Sequence, residues 1–424
     1  MAKKQQEHVF HIFYGWYVLA ASFIILLLNS GARFIIGVMF KPMIAEFGWD
    51  RSTVSLAFFI FMAVYALCIT ITGKLYDLYG PKWVIIISSL FLLTGYSSLY
   101  FIHSFWQFVS FYSVISSAGL AGTSVPLFSA ISSKWFEKNR GLAISLALAG
   151  NCLGQFILIP ISTILILLYG WRVLCFWLGI IMVLINVVLA VTVIKGDPED
   201  LGIDPYGHDR ATNGEIEHHG LETDGPIRDL GLVQAMKTSS FWFFLFLMFV
   251  CGSGDFLVTT HLIPFVTDHG VSPVSAGNML ACLGLMSLAG ILLAGPASDI
   301  IGNKTPIVLT FLLRVLLFIF ILKYQNIVSF YIFSLFFGFS FLITAPLTPT
   351  LIGRLYGLSH VGILSGFITT IHHLGGGFWA YVGGLLFDLK GDYQLVFLLS
   401  AIMAFLAFFS GLMIREKRYN PTSL

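Results

Sequence analysis

Long apolar stretches separated by short polar ones account for most of the chain. A helix that crosses the roughly 30 Å hydrocarbon core of a bilayer needs about 20 mostly apolar residues, and windows of that length predict twelve membrane spans. The predicted spans lie at 15–38, 53–73, 83–101, 106–131, 141–167, 173–193, 240–263, 274–294, 306–322, 328–351, 361–386 and 394–413. No small-residue cleavage site follows the first span, so we interpret it as a span rather than a signal peptide.

One long polar segment divides the predicted spans into two groups of six. Residues 195–237 are rich in Asp and Glu and show no apolar periodicity, a pattern typical of a flexible linker. We therefore predict an N-terminal six-helix bundle at 1–194, a cytoplasmic linker at 195–237 and a C-terminal six-helix bundle at 238–424.

The two groups of spans repeat one another. A shift of 222 residues carries seven positions of the first half onto identical residues in the second. These positions are Phe34, Pro42, Gly48, Gly73, Asp77, Gly80 and Lys82, which match Phe256, Pro264, Gly270, Gly295, Asp299, Gly302 and Lys304. A constant offset of this kind predicts duplication of a six-helix unit and hence pseudo-symmetric bundles.

Composition and charge agree with a lipid environment. The chain is 57% hydrophobic and 10% charged, whereas a soluble domain carries about 25% charged residues. With both termini in the cytoplasm, the inside segments hold 16 Lys and Arg residues and the outside segments hold five. This asymmetry predicts a multi-pass protein of the plasma (inner) membrane with cytoplasmic termini.

The duplicated loops after spans 2 and 8 are candidate gates. Each has the pattern Gly-x-x-x-Asp-x-x-Gly-x-Lys, formed by Gly73, Asp77, Gly80 and Lys82 in the first loop and by Gly295, Asp299, Gly302 and Lys304 in the second. Glycine permits close helix approach and positive φ, and the Asp can accept from a helix N-terminus. We expect a latch between helices, with a simple tight turn as the alternative.

The loop pattern and the twelve-span plan resemble the major facilitator superfamily. This resemblance implies two bundles around a central cavity, lined mainly by spans 1, 4, 7 and 10, and transport by alternating access. The segment 135–150, WFEKNRGLAISLALAG, is similar to the corresponding segment of the monocarboxylate transporters and the oxalate:formate antiporters. It differs in having Ser145 where Gly is usual, and span 8 lacks the Asp and Arg of the animal members.

Arg33 is the main candidate for substrate binding. A charge at mid-span costs several kcal/mol unless it has a partner or a water-filled cavity. Its planar guanidinium can bind a carboxylate through two parallel hydrogen bonds. Asn29 and Gly37 stand four residues away on the same stripe of span 1, so we predict that Asn29 also lines the site. The alternative is an arginine that fixes helix packing.

Asp255 is the candidate proton carrier. It is the repeat equivalent of Arg33, since the two differ by 222 positions, and Thr259 follows one turn later. Opposite charges at equivalent positions predict a switchable Arg33–Asp255 pair, with Thr259 as a further substrate contact; a static pair that holds the halves together is the alternative. Two interpretations of Arg314, eight residues into span 9 from the cytoplasmic side, stay open: extension toward that membrane surface and a functional role.

Asn151 and His372 correspond at an offset of 221 residues. His372 and His373 point about 100° apart around a helix, so at most one can face the cavity squarely. Symmetry favours His372 as a proton-coupling residue and Asn151 as a substrate contact, and a packing role for the histidine is the alternative. His261 lies off the face of Asp255 and is ranked lower.

These residues predict a secondary transporter of a small organic anion rather than an enzyme. The leading hypothesis is proton-coupled symport of a monocarboxylate such as lactate or pyruvate. Organic-anion exchange, transport of a larger amphiphile such as a siderophore or drug, and a non-transporting receptor remain alternatives. The chain contains no nucleophile–base set, metal motif or phosphate-binding loop, so we expect no cofactor, no metal and no nucleic-acid partner. We expect a monomer in a lipid bilayer.

Overall fold

The computed structural model describes residues 13–207, 229–357 and 359–415, and these form a bundle of helices with one isolated β-bridge, between Phe136 and Tyr206. The helices are Gly15–Phe34 and Ile36–Phe47 (span 1), Arg51–Ser98 (spans 2 and 3), Phe105–Phe108, Val109–Ser116, Ser117–Ala121 and Val125–Trp135 (span 4), Arg140–Tyr169 (span 5), Trp171–Thr192 (span 6), Ser239–Asp268 (span 7), Pro273–Ile301 (span 8), Lys304–Lys323 (span 9), Ile327–Phe341 and Thr344–Tyr356 (span 10), Val361–Lys390 (span 11) and Gln394–Met413 (span 12). Short helices at Leu99–Phe101, Pro198–Leu201 and Leu232–Ala235 connect them.

The predicted all-α architecture with twelve spans is confirmed. Ten helical stretches of the described residues are long and apolar enough to cross a bilayer. One of them, residues 51–101, holds spans 2 and 3, which join at a kink where Gly80 leaves the helical conformation. Span 11 is the twelfth: His372, His373 and several glycines lower its hydropathy, although its 30 residues exceed the length that a span needs.

The backbone of the two halves repeats as the sequence does. Gly80 has φ 74° and ψ 170° in the loop after span 2, and its equivalent Gly302 has φ 82° and ψ 163° after span 8. Only glycine adopts such angles without strain. Gly48 and Gly270 form a second pair at positive φ. The duplicated sequence therefore produces duplicated turns, and the halves are pseudo-symmetric.

The described ends of the predicted linker pack against the bundles. The Tyr206 backbone N–H donates to the Trp135 carbonyl at 2.9 Å, and the Lys138 N–H donates to the Tyr206 carbonyl at 3.0 Å. At the other end, the Leu230 N–H donates to the Tyr356 carbonyl at 2.9 Å. Residues 208–228, the middle of the linker, lie outside the described residues, and the division at 194 and 238 stays a prediction.

Ion pairs and hydrogen bonds join the two halves at the membrane face opposite the termini. Asp268, at the end of span 7, accepts from Arg51 at 2.8 Å and from Lys41 at 2.7 Å. Asp388, at the end of span 11, accepts from the backbone N–H groups of Arg51 and Ser52 at 3.1 and 2.7 Å. These N–H groups open the span 2 helix, where free donors and the helix dipole favour an anion.

A buried histidine continues this connection toward the membrane interior. His261 in span 7 bonds the Tyr393 hydroxyl at 2.9 Å and the Ala380 carbonyl at 2.8 Å through its two ring nitrogens. Its Nε2 also lies 3.3 Å from the Ser55 hydroxyl of the opposite half. We call the contacts of Lys41, Arg51, Ser55, His261, Asp268, Asp388 and Tyr393 the closed end.

Glycine contacts distinguish the two membrane faces. Near the closed end, a Cβ on Gly37 would meet the Thr259 carbonyl at 2.8 Å, and one on Gly384 would meet the Arg51 carbonyl at 2.7 Å. At the face of the termini, a Cβ on Gly73 or Gly295 would meet no heavy atom of the described residues within 4 Å. The bundles thus touch at the closed end and leave these positions open at the face that carries the termini.

If the closed end holds the halves together, Asp268→Asn should loosen it, because Arg51 and Lys41 lose their shared carboxylate. These groups are partly exposed, so the expected cost is on the order of 1 kcal/mol, or roughly a fivefold change in opening. To measure opening, the buried Ser55 is replaced by cysteine in a protein without the five native cysteines. This cysteine should react faster with an impermeant thiol reagent when Asp268→Asn is also present than when it is absent. Asp392→Asn, a loop aspartate beside the same face, is the matched control, and equal labelling in both variants would contradict this role.

Candidate functional site

Span 1 continues as a helix past Arg33 with one irregular residue. The helices Gly15–Phe34 and Ile36–Phe47 meet at Ile35, which keeps right-handed helical angles of φ −59° and ψ −25°. The Ala32 carbonyl accepts from the Ile35 N–H at 3.4 Å and from the Tyr96 hydroxyl at 3.0 Å. The backbone beside Arg33 is therefore satisfied within the protein, as it must be at membrane depth.

The Arg33 guanidinium has only weak partners. It donates to the Tyr65 hydroxyl at 3.4 Å and to the Met62 sulfur at 3.5 Å, whereas charge-assisted hydrogen bonds usually measure 2.7–2.9 Å. Its Cζ lies 4.3 Å from the Tyr65 ring centroid and 5.2 Å from that of Phe256. Its buried Nε has no hydrogen-bond partner, and no described carboxylate forms an ion pair with it within 4.0 Å. Arg33 is thus a part-buried cation without a counter-ion among the described residues.

The ion-pair partner of Asp255 is Arg314 rather than Arg33. Arg314 Nη2 lies 2.6 Å from Asp255 Oδ1, and the two side chains are 1% and 3% exposed. Extension of Arg314 toward the membrane surface, the first of the two interpretations, is therefore wrong. The physical reason is that a carboxylate and a guanidinium buried in neighbouring spans each remove the other's cost of an unpaired charge.

Arg314 uses its remaining donors on neighbouring spans. Nε donates to the Ser340 hydroxyl at 3.3 Å, Nη2 to the Ser340 carbonyl at 3.1 Å, and Nη1 to the Cys251 carbonyl at 3.0 Å. Its Cζ also lies 5.0 Å from the Phe337 ring centroid. A guanidinium offers five donors, and here they join spans 7, 9 and 10. This arrangement is structural and leaves little capacity for a substrate.

The second oxygen of Asp255 faces a thiol and an imidazole. Oδ2 accepts from the Cys251 thiol at 3.5 Å and lies 3.8 Å from His372 Nε2. The His372 side chain is 16% exposed, and its buried Nδ1 has no hydrogen-bond partner among the described residues. His373 points elsewhere: its Nδ1 bonds the Thr369 carbonyl at 2.8 Å. The structure thus brings His372, and not its neighbour, to the carboxylate.

Cys251, Asp255 and His372 could converge on a metal ion by residue type, because one ligand atom of each lies within 4.8 Å of the others. However, Arg314 already supplies a positive charge 2.6 Å from the carboxylate and lies 3.6 Å from the Cys251 sulfur. A divalent cation would have to displace or repel this guanidinium. The cluster therefore does not fit a metal centre.

The other predicted contacts are distributed around this region. Asn29 Oδ1 accepts from Asn186 of span 6 at 3.2 Å, so this side chain is engaged within the N-terminal bundle. The Thr259 hydroxyl donates to the Asp255 carbonyl of its own helix at 2.9 Å. Around its helix, Asn151 points in a direction between those of Gly154 and Gln155. Gly154 packs on span 1, and Gln155 donates to the Leu280 carbonyl of span 8 at 3.1 Å. The helix geometry therefore directs Asn151 toward the interior between those spans.

The gating-loop residues lie at the open face. Asp77 and Asp299 are exposed, and neither forms a hydrogen bond or ion pair with the described residues. Lys82 is half-buried, and Lys304 donates to the Leu412 carbonyl at the end of span 12 at 2.7 Å. If these aspartates belong to a latch that closes this face, they should have no partners while the face is open. The gating role stays a prediction.

The different partners of the two intramembrane arginines lead to a stability prediction. Arg314→Met should destabilise the protein by about 3–5 kcal/mol, because it leaves the buried Asp255 carboxylate unpaired. The double variant Arg314→Met/Asp255→Asn should recover most of this loss, since neither charge then remains alone. Thermal unfolding in detergent measures the difference.

Arg33→Met is the matched control, because it removes a cation without leaving a buried carboxylate unpaired. It should unfold near the wild-type temperature. Equal destabilisation by the two single variants, or no recovery in the double variant, would contradict the assignment of Arg314 as the structural partner.

Comparison with known proteins identifies the family of this chain. Residues 22–277 and 244–423 match the family model described as Major Facilitator Superfamily. An uncharacterized MFS-type transporter, YcxA of Bacillus subtilis, is 26% identical over 392 residues, which cover 90% of each chain. Monocarboxylate transporter 13 of Rattus norvegicus is 24% identical over 405 residues, 95% of this chain and 88% of that protein.

Solved structures share the fold at low identity. A bacterial homologue of the human lysosomal transporter Spinster, inward-facing and unoccupied, aligns with a TM-score of 0.73 at 16% identity and covers 96% of this chain and 99% of that one. A point mutant of the nucleoside transporter NupG aligns with a TM-score of 0.73 at 12% identity over 95% and 99% of the two chains. With its twelve spans in two pseudo-symmetric bundles, the chain belongs to the Major Facilitator Superfamily of membrane transporters.

Proposed function

We propose that the protein transports a small monocarboxylate together with a proton by alternating access. The observation that carries this proposal is the contrast between the two intramembrane arginines. Arg314 is buried against a carboxylate at 2.6 Å, whereas the partners of Arg33 among the described residues are aromatic rings, a tyrosine hydroxyl and a methionine sulfur. A membrane protein that keeps a cation without a counter-ion at this depth provides a binding site for an anion.

The charge balance favours a monoanion. Arg33 supplies one positive charge, and a single carboxylate can accept two parallel hydrogen bonds from its planar fork. The rings of Tyr65 and Phe256 cover the guanidinium and keep it poorly solvated. A second carboxylate on the substrate would find no equally available cation, because Arg314 is already paired.

His372 and Asp255 are the proposed proton-coupling pair. His372 is the more exposed member and lies 3.8 Å from the buried carboxylate, so Asp255 would stabilise a proton on the imidazole while it stays paired with Arg314. Arg314 holds Oδ1 of Asp255 in place and leaves Oδ2 on the side of His372. Histidine is the side chain that ordinarily titrates near neutral pH, which suits a group that must take up and release protons.

The relatives support an organic anion as substrate. Those named monocarboxylate transporters 11, 12 and 13 are 21–24% identical to this chain. We also propose the cytoplasm for the face that carries the termini, the plasma (inner) membrane as location and the monomer as working unit. On this orientation the structure is inward-open, the closed end is the outer gate and the two Gly-x-x-x-Asp loops latch the inner face in the opposite state.

Exchange of organic anions without proton movement is the second candidate. One observation favours it: Arg314 already neutralises Asp255 at 2.6 Å, so the pair could stay fixed throughout the transport cycle. Of the intramembrane charges Arg33, Asp255 and Arg314, Arg33 would then be the one that changes partners. The two functions differ in whether a pH gradient drives accumulation.

The anion site is tested by Arg33→Lys, assayed as uptake of labelled lactate, pyruvate and acetate into proteoliposomes. An ammonium keeps the charge but not the planar fork. Loss of a charged hydrogen bond costs about 1.5–3 kcal/mol, so uptake at low substrate concentration should fall about 10- to 100-fold. Arg354→Lys, at an exposed position, is the control. Wild-type uptake by Arg33→Lys would refute the clamp.

Proton coupling is tested by His372→Gln, with the neighbouring His373→Gln as the matched control. An amide cannot carry the proton, so His372→Gln should lose accumulation driven by an imposed pH gradient while it keeps exchange of labelled for unlabelled substrate. His373→Gln should retain both. Gradient-driven accumulation that survives in His372→Gln would favour the exchange mechanism or return His372 to a packing role.

A further inference from the structure

Phe256 lies between the proposed anion site and the proposed proton site. Its ring centroid is 5.2 Å from Cζ of Arg33 in the opposite half. The same ring lies 5.7 Å from the His372 ring and 5.8 Å from the His373 ring, measured between centroids. Phe256 directly follows Asp255 in span 7. One aromatic side chain therefore contacts both charged centres.

The position of this ring is tightly fixed. A Cβ on Gly376 would collide with Cδ2 of Phe256, so the ring rests on the bare backbone of span 11, one turn beyond the two histidines. On the side of span 2, the Phe58 ring lies 5.9 Å away. Phe256 is 4% exposed. These contacts with span 2, span 11 and the Arg33 guanidinium restrict movement of the ring.

The charged and titratable groups around His372 come from four spans. Asp255 and Cys251 face it from span 7, Arg314 from span 9, Arg33 from span 1, and His373 from its own span. Asp255 and Arg314 compensate one another at 2.6 Å. The net positive charge that opposes a proton on His372 is therefore that of Arg33, and an anion bound to Arg33 would remove this repulsion.

We propose that Phe256 is the positioning residue that couples anion binding at Arg33 to proton uptake by the His372–Asp255 pair. Its ring holds the guanidinium by a cation–π contact and fills the space between the two centres. Without water in that space, the charges act on one another at a low effective dielectric constant. Anion and proton then favour each other's binding by the same factor. This inference rests on the proposed function above.

The test compares binding at about pH 6 and about pH 8, which bracket the ordinary titration range of histidine. Lactate, pyruvate and acetate are titrated into purified full-length protein, and the ratio of the two affinities measures the coupling. In the wild type, binding should be about fivefold or more tighter at the lower pH. Phe256→Ala should bring this ratio close to one, and Phe256→Leu should lower it at least about threefold, because leucine keeps volume but has no π face.

Phe244→Leu, a change at a fully buried phenylalanine of the same span, should keep the wild-type ratio. Phe256→Leu preserves most of the side-chain volume and keeps the test valid if Phe256→Ala does not fold. A folded Phe256→Leu protein with the wild-type ratio would overturn the role of Phe256.

If the proposed function itself is wrong, the binding measurements should give a different result. A wild-type protein that binds none of the three anions, or binds them equally at both pH values, contradicts proton-coupled monocarboxylate transport whatever the variants do. A wild-type ratio that persists in the Phe256 variants leaves that function intact and removes only the coupling residue.

Discussion

The buried pair of Arg314 and Asp255 is the interaction on which the arrangement of the central region depends. An unpaired carboxylate at this depth costs several kcal/mol, and the guanidinium at 2.6 Å removes that cost. The remaining donors of Arg314 bond to residues of spans 7 and 10, so the pair also fixes how these helices pack. Because Asp255 is satisfied within its own bundle, it is not available to neutralise Arg33 in the other half. That Arg33 has no counter-ion among the described residues follows from the pairing of Arg314 with Asp255.

The contacts between the two halves complement this fixed interior. At the closed end, charges at the ends of spans 2, 7 and 11 meet across the boundary, and glycines such as Gly37 allow backbone to approach backbone. The ion pairs are partly exposed and individually weak, so they can separate without large cost. Strong pairing within a bundle and weak pairing between bundles is the distribution of energies that lets two rigid units rock against each other.

Much of this fold could be predicted from the sequence, because span length, charge asymmetry and the 222-residue repeat are one-dimensional patterns. The intramembrane cation Arg33 and the choice of His372 over His373 could also be derived, since burial cost and helix periodicity apply residue by residue. The Arg314–Asp255 pair could not be predicted from the sequence. The repeat shows which residues are equivalent but not which helices touch, and equivalence suggested a partner in the wrong bundle. The closed end escaped prediction for a related reason: Arg51 and Asp268 lie at span ends, where sequence alone suggests solvated loop charges.

The duplicated scaffold has become specialised in its two copies. Asn29, Arg33 and Asn151 of the first half correspond in the repeat to Cys251, Asp255 and His372 of the second. The second set contains groups that exchange protons, and they converge within 4.8 Å; the first set contains two neutral amides and a cation. The difference continues in the neighbouring span, because span 9 supplies Arg314 as a counter-ion, whereas its equivalent, span 3 (83–101), has no charged residue. Loss or gain of one arginine in a peripheral span thus decides whether the central charge of a bundle is compensated internally or remains open to a ligand. In this protein that asymmetry leaves a cation without a counter-ion among the described residues in one half and a cluster of titratable groups in the other, and Phe256, which contacts Arg33 and the histidines, lies where the two meet.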